Sequence, residues 1–380
     1  MQKLYWRSAR ISRAMYLLAS LIALAMLLAS ESFKETIVQP HYEEKIEAAR
    51  LMQRAMEAIQ NHRVRKVGPI DLEADPTNSG MLGLSSSVTT TNTGSLEAKR
   101  TTLNPNWAAV VVELLSEAGV ERGSTIAVGV SGSFPALNLA VFSAAEVLDL
   151  EAISIASVGA SSWGANVPTL TWLDMERVLA DAGILRTRSI AASLGGTRDR
   201  AIGMPKLGRK RLRQAIERAA VPYLATETDL DSIERRMALY REQADDRYIQ
   251  AYVNVGGSLA SIGPKTVKRL YQPGLNLRLD PHAVHVDSVM KRFLRDGVPV
   301  INLSKIVPLA ELYGLPLEPI ALPQPGEGLV FERQEYNRWL VAGLLGLLLL
   351  SLWALLRLDV GSRVAALSGR ARSRPLEPMV

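Results

Sequence analysis

The chain has 380 residues, no cysteine, and a formal net charge of +6 from 44 basic and 38 acidic side chains. Without cysteine there is no thiol catalysis, no thiolate metal site and no disulfide framework. The basic excess lies in residues 1–30 and 357–380, leaving 35 basic against 36 acidic residues in between, so a nucleic-acid surface is not expected.

In chain order, a basic N-terminus (1–13) with Lys3, Arg7, Arg10 and Arg13 precedes an uncharged apolar run, Ala14–Ser30. A second run, Trp339–Leu356, is followed by a basic tail (357–380) with Arg357, Arg363, Arg370, Arg372 and Arg374. About 17–18 helical residues cross a hydrocarbon core roughly 30 Å thick. Arginine on the outer side of each run predicts a two-pass protein of the cytoplasmic (inner) membrane, with both termini inside and everything between outside. Ser30-Glu31-Ser32 is a poor small-residue cleavage site, so the first run is expected to stay as an anchor.

Between the anchors, Tyr42, Ile46, Ala49, Met52, Met56 and Ile59 recur at helical spacing, predicting an amphipathic helix within 31–66 that rises from the membrane as a stalk or packs on the domain. Residues 67–104 turn polar, especially Leu84–Gly94, and read as a linker or as a loop long enough to lie over a site. Residues 105–322 alternate short apolar runs with amphipathic helices. Strands are expected at Ser124–Val130, Ala152–Val158, Thr187–Ala192, Pro222–Ala225, Tyr248–Val255 and Pro299–Leu303. Helices fall between them, the later ones at Leu207–Ala219, Leu230–Gln243, Val284–Arg295 and Lys305–Tyr313. That alternation predicts an α/β fold, an open, mostly parallel sheet with helices on both faces, followed by a linker at 323–338. Ligands of such sheets bind at the carboxyl ends of the strands.

Four strand ends carry small polar clusters: Ser131-Gly132-Ser133-Phe134-Pro135, then Ser157 to Asn166 with Ser161 and Trp163, then Gly195-Gly196-Thr197-Arg198, and Asn254-Val255-Gly256-Gly257-Ser258. Any one is an ordinary capped turn, but together they predict a shared polar pocket. Lys99 and Arg100 in the polar segment are candidates for holding carboxylates. Gly129-Val130-Ser131-Gly132-Ser133 is close to a nucleophile elbow but has Ser133 where that motif has glycine. A triad would take Ser131 or Ser133 as nucleophile, His282 or His285 as base, and Asp280 or Asp287 to orient it. The basic run Arg198, Arg200, Lys206, Arg209, Lys210, Arg211 and Arg213 is a solvated helix face or a surface for anionic lipid heads or an anionic polymer. No metal-ligand spacing and no nucleotide-binding glycine loop is present, so neither metal nor cofactor is expected.

Three segments carry a family resemblance: Thr93–Asn106 (Thr-Gly-Ser-Leu-Glu-Ala-Lys-Arg-Thr-Thr-Leu-Asn-Pro-Asn), Ile126–Asn138 (Ile-Ala-Val-Gly-Val-Ser-Gly-Ser-Phe-Pro-Ala-Leu-Asn) and Ser157–Asn166 (Ser-Val-Gly-Ala-Ser-Ser-Trp-Gly-Ala-Asn). In these the chain resembles the poly-γ-glutamate system proteins. The resemblance implies an accessory place beside the membrane enzymes that make and export γ-linked glutamate polymer, and it carries over no catalytic residue. Three functions stay open: binding of the polymer, of glutamate-like carboxylates or of the synthase; serine-dependent γ-glutamyl hydrolysis or transfer; and general solute binding or sensing. Gly343 and Gly346 offer a small-residue face for helix packing with membrane partners.

Overall fold

The computed structural model describes residues 13–357 apart from Val284. The basic ends, 1–12 and 358–380, lie outside the described residues. The chain divides into two units, residues up to Val38 together with those from Glu332 onward, and Gln39–Phe331.

The first unit contains two helices long and apolar enough to cross a membrane, α1 (Arg13–Ser32) and α13 (Arg338–Arg357), with mean hydropathies of 1.7 and 1.9 over their most apolar 18 residues. α1 and α13 pack on each other. Next to them in the chain, β1 (Lys34–Val38) and β8 (Glu332–Tyr336) pair antiparallel, with Lys34 opposite Tyr336.

The second unit begins with α2 (Tyr42–Lys66). Residues 31–66 are therefore not one stalk: a strand interrupts them, and α2 packs on the domain. The spacing that predicted the helix also shows why, since Ile46, Met52, Met56 and Ile59 all reach the core, and buried Lys45 pairs with Glu113 at 2.5 Å. α3 (Leu96–Thr101) and α4 (Trp107–Glu117) lead into β2 (Thr125–Ser131), α5 (Pro135–Val147), β3 (Glu151–Ser157), α6 (Trp172–Asp181) and β4 (Ser189–Ser193). Then come α7 (Lys206–Ala219), α8 (Asp229–Ala244), β5 (Ile249–Val255), the short helices α9 (Leu259–Ile262) and α10 (Lys265–Lys268), β6 (Gly274–Asn276), α11 (Val289–Arg295), β7 (Val300–Leu303) and α12 (Ile306–Leu312).

The sheet order is β4-β3-β2-β5-β7-β6, parallel throughout except for β6, which runs antiparallel at the edge. The protein is thus α/β, with helices around a mostly parallel six-stranded sheet. Both faces are covered, as period-two strands require: Ile126, Val128 and Val130 of β2 join the core under α2, α4 and α5, while Ala127, with Ile153 and Ile155 of β3, packs toward α8 and α11. Pro222–Ala225 does not form the expected strand. Pro222 has no N–H, and the segment makes one bridge, Ala192 to Tyr223. The helix expected from residue 284 starts only at Val289, where the Ser288 hydroxyl accepts the Lys291 N–H at 3.1 Å as an N-cap.

Candidate functional site

Chain order places β3 and β4 on one side of β2 and β5 on the other, so the connections diverge at β2. This is the switch point where open α/β sheets leave a crevice. A cavity of about 450 Å³ opens there at the carboxyl ends of β2–β5. Pairing registers explain the convergence: Ser131 lies opposite Ser157, and Ser157 opposite Ser193, so the polar strand ends finish level. Residues 91–95, from the segment that read as a linker or as a loop over a site, form another wall. Hydroxyls, backbone amides and two lysines, Lys99 and Lys268, line the cavity, and no acidic side chain is among its described lining residues.

Lys99 is the chemical centre of this wall. The Ser95 hydroxyl caps α3 by accepting the Ala98 N–H at 3.2 Å, and the helix then turns Lys99 inward, 1% exposed. Its Nζ donates to Ser133 O, lies 2.9 Å from Ser161 Oγ, and sits 3.8 Å from the centre of the Phe134 ring. No carboxylate pairs with it among the described residues, and burial pulls its amine down from the usual lysine range to about 7. The serines form a chain around it: the Ser161 N–H donates to Ser133 Oγ at 3.0 Å, and the Ser133 N–H donates to Ser131 Oγ at 3.1 Å. Gly94 runs so close that a Cβ there would lie 2.6 Å from Ser162 O and 3.1 Å from Ser161 Oγ.

A second buried cation braces the floor. Arg236, on α8, pairs with Asp199 at 2.8 Å, and both are almost fully buried. Asp199 also accepts the hydroxyls of Ser193 (2.6 Å) and Ser232 (2.7 Å), while Arg236 donates to Ser193 at 2.8 Å and Ser157 at 3.2 Å. Burial opposes ionisation of Asp199, but Arg236 and the two hydroxyls outweigh it, and the carboxyl stays below the usual carboxylate range. This cluster holds the β4–α7 loop, where Gly195 and Gly196 take φ of 71° and 69° and Arg198 and Asp199 are left-handed too. Gly196 and Thr197 reach the cavity wall, while Arg198 is exposed.

The other expected residues divide. Ser131, Ser133, Ser161, Gly257 and Ser258 line the cavity with Lys99. Gly256 lies behind Ser131, where a Cβ would be 3.4 Å from the Ser131 Cβ. Gly132 is structural: its N–H donates to Ser157 O at 2.8 Å and its carbonyl accepts the Ala165 N–H at 2.7 Å. Trp163 and Asn166 strap down residues 83–90. The Trp163 N–H donates to Leu84 O, and the Asn166 side chain bonds both backbone groups of Leu84 at 2.8 Å. Asn254 bonds Asn302 at 3.0 Å within the sheet. Arg100 leaves Lys99 and bonds Glu318 and Ala74 O, because successive helical residues point about 100° apart.

His282 sits in a 3-10 turn at Pro281–Ala283, and both His282 and His285 are exposed. Asp280 accepts the His282 backbone N–H at 2.8 Å, Asp287 pairs with Arg292 at 2.6 Å, and none of these four residues lines the cavity. Lys206, Arg209, Lys210 and Arg213 gather along α7 around a separate open surface depression. The residues sequence reasoning missed are Lys268, Asp199 and Arg236. The last two are 37 positions apart, at opposite ends of the long β4–β5 connection, with no local signal joining them.

Among the described residues, no cluster of histidine, aspartate or glutamate could hold a metal ion. Compared with protein-family models, curated proteins and solved structures, the chain finds no match in any of the three.

Proposed function

We propose that the chain is a membrane-tethered accessory protein whose α/β domain binds the carboxylates of γ-linked glutamate polymer, outside the cytoplasmic membrane and beside the membrane-embedded synthase or export partners. One observation carries this reading: four strand ends meet at the sheet's switch point in a cavity furnished with hydroxyls, amides and two lysines, without an acid in its described lining. Such a lining suits an anion, because donors already face the cavity and no like charge repels it. Lys268, which donates to Gly257 O, marks the cationic lip, and the α7 basic face gives a polyanion a further surface to follow. The two apolar helices and the arginines beyond them support a two-pass arrangement in the lipid bilayer with both termini inside.

The test uses the full chain in nanodiscs, titrated with defined γ-glutamyl oligomers. Binding should weaken as salt rises and fall about tenfold in Lys268→Ala, as expected for a partly screened charge contact. Equal affinity for an uncharged oligomer of the same length would replace this reading with solute binding. For the topology, tags at both ends should resist external protease in intact cells; digestion of the C-terminal tag overturns it.

A further inference from the structure

We infer that Ser161 and Lys99 form a nucleophile–base pair that cleaves or transfers an amide bond brought into the cavity, with γ-glutamyl amides as the substrate class. The substrate class rests on the carboxylate-binding reading above; the pairing of the two side chains does not.

A neutral lysine amine has two N–H groups and one lone pair. Ser133 O takes one N–H, and the Ser161 hydroxyl, 2.9 Å away and on the cavity wall, is placed to donate into the lone pair. Among the serines lining the cavity, Ser161 is the one whose hydroxyl meets an amine. Ser133 Oγ accepts the Ser161 N–H and Ser131 Oγ accepts the Ser133 N–H, and among the described residues neither hydroxyl meets an amine. The Phe134 face covers the amine and stabilises the ammonium once it forms.

Burial without a carboxylate partner supports the same role. An amine titrating near 7 is largely neutral just above neutrality and still basic enough to take a proton. A lysine kept only for structure gains nothing from being buried unpaired, since its desolvation costs stability at any pH where it is charged. Thr93 and Gly94, on the segment that passes the Ser161 hydroxyl, line the cavity, and their N–H groups have no acceptor among the described residues.

The reaction balances with water alone. Ser161 Oγ bonds to the amide carbon while its proton passes to Lys99. The tetrahedral adduct collapses by breaking the C–N bond, and the leaving nitrogen takes the proton back from the Lys99 ammonium. An ester on Ser161 and a free amine result. Water, giving a proton to Lys99, then attacks the ester carbon, and Ser161 Oγ leaves with that proton as its hydroxyl. The product is a carboxylic acid; an amine in place of water gives transfer instead.

The full chain in nanodiscs is treated with a fluorophosphonate, and the modified residue is mapped by peptide mass spectrometry. In parallel, release of p-nitroaniline from γ-glutamyl-p-nitroanilide is followed against pH. Label on Ser161 and a rate rising through an inflection near pH 7 are expected. Lys99→Met should lower both rates about 100-fold or more, and Ser161→Ala should reduce amide cleavage to background, with folding checked by circular dichroism. Label on Ser131 or Ser133, no label at all, or full reactivity in Lys99→Met overturns the pair. Binding of γ-glutamyl oligomers is measured on the same samples. Binding without acylation removes the pair and leaves the polymer reading; labelling of Ser161 without oligomer binding or anilide cleavage keeps the pair and removes its substrate.

Discussion

Two cations are buried at the same sheet edge, and they differ in one respect. Arg236 has Asp199 against it and serine hydroxyls around the pair, so every charge there is answered. Lys99 has a carbonyl, a hydroxyl and a phenyl ring, but no carboxylate among the described residues. The first arrangement fixes a loop; the second leaves a proton equilibrium near neutrality. The contrast separates scaffold from chemistry within a few residues of each other, and removing either cation should show it.

The largest effect is expected at the paired cation. Arg236→Met leaves Asp199 buried and unanswered and should cost about 3–5 kcal/mol, lowering the melting temperature by roughly 10 °C. A loss below about 1 kcal/mol, measured by thermal or urea unfolding, would mean that the floor of the cavity does not depend on this pair.

The unpaired cation should show itself in pH dependence. The folded Lys99 amine titrates at about 7 and the unfolded one at its usual 10.5, so between these values only the unfolded chain holds the proton. Stability from this site therefore rises with pH from about 7 toward 10.5 and is lost as pH falls through 7. From pH 7 to 9 the gain is about 2 kcal/mol. Lys99→Met should flatten that rise; an unchanged slope would place the amine in water.

Glu176 supplies a control of opposite sign. Burial pushes its carboxyl up from 4.5 to about 7, with the Ser189 hydroxyl (2.6 Å) and N–H (3.0 Å) opposing the shift. Here the folded chain keeps a proton that the unfolded chain loses, so stability falls as pH rises from about 4.5 to 7. Glu176→Gln should remove a fall of about 2–3 kcal/mol. The smallest effect belongs to exposed His285. His285→Ala should change stability by less than about 0.5 kcal/mol and leave fluorophosphonate labelling of Ser161 intact. Loss of labelling would restore the histidine triad.

The fold was legible where periodicity is strong. The alternation over 105–322 names the parallel strands β2, β3, β4, β5 and β7, because apolar runs buried on both faces leave a plain signal. It misses β6, whose three residues, Gly274–Asn276, are too short to show a period, and it makes a strand of Pro222–Ala225, which forms only a single bridge to Ala192. The strand-end clusters were visible as composition, but which serine matters was not. Ser161 is singled out by an amine 62 positions upstream, and that proximity arises only when α3 folds over β2 and β3. Lys99 itself left a faint trace: it stands three residues after Leu96 and four before Leu103, a lysine on an otherwise apolar stripe.

The α/β unit starts and stops at one point, where the Gln39 N–H donates to Phe331 O across 2.8 Å. A chain whose ends already touch behaves as a cassette: it can be moved between hosts, or cut and rejoined elsewhere in a loop, at little closure entropy. On the two-pass arrangement proposed above, it also makes the two flanking apolar helices redundant as tethers. A protease that severs one junction leaves the cassette closed and still held by the other, so release from its site takes two cuts.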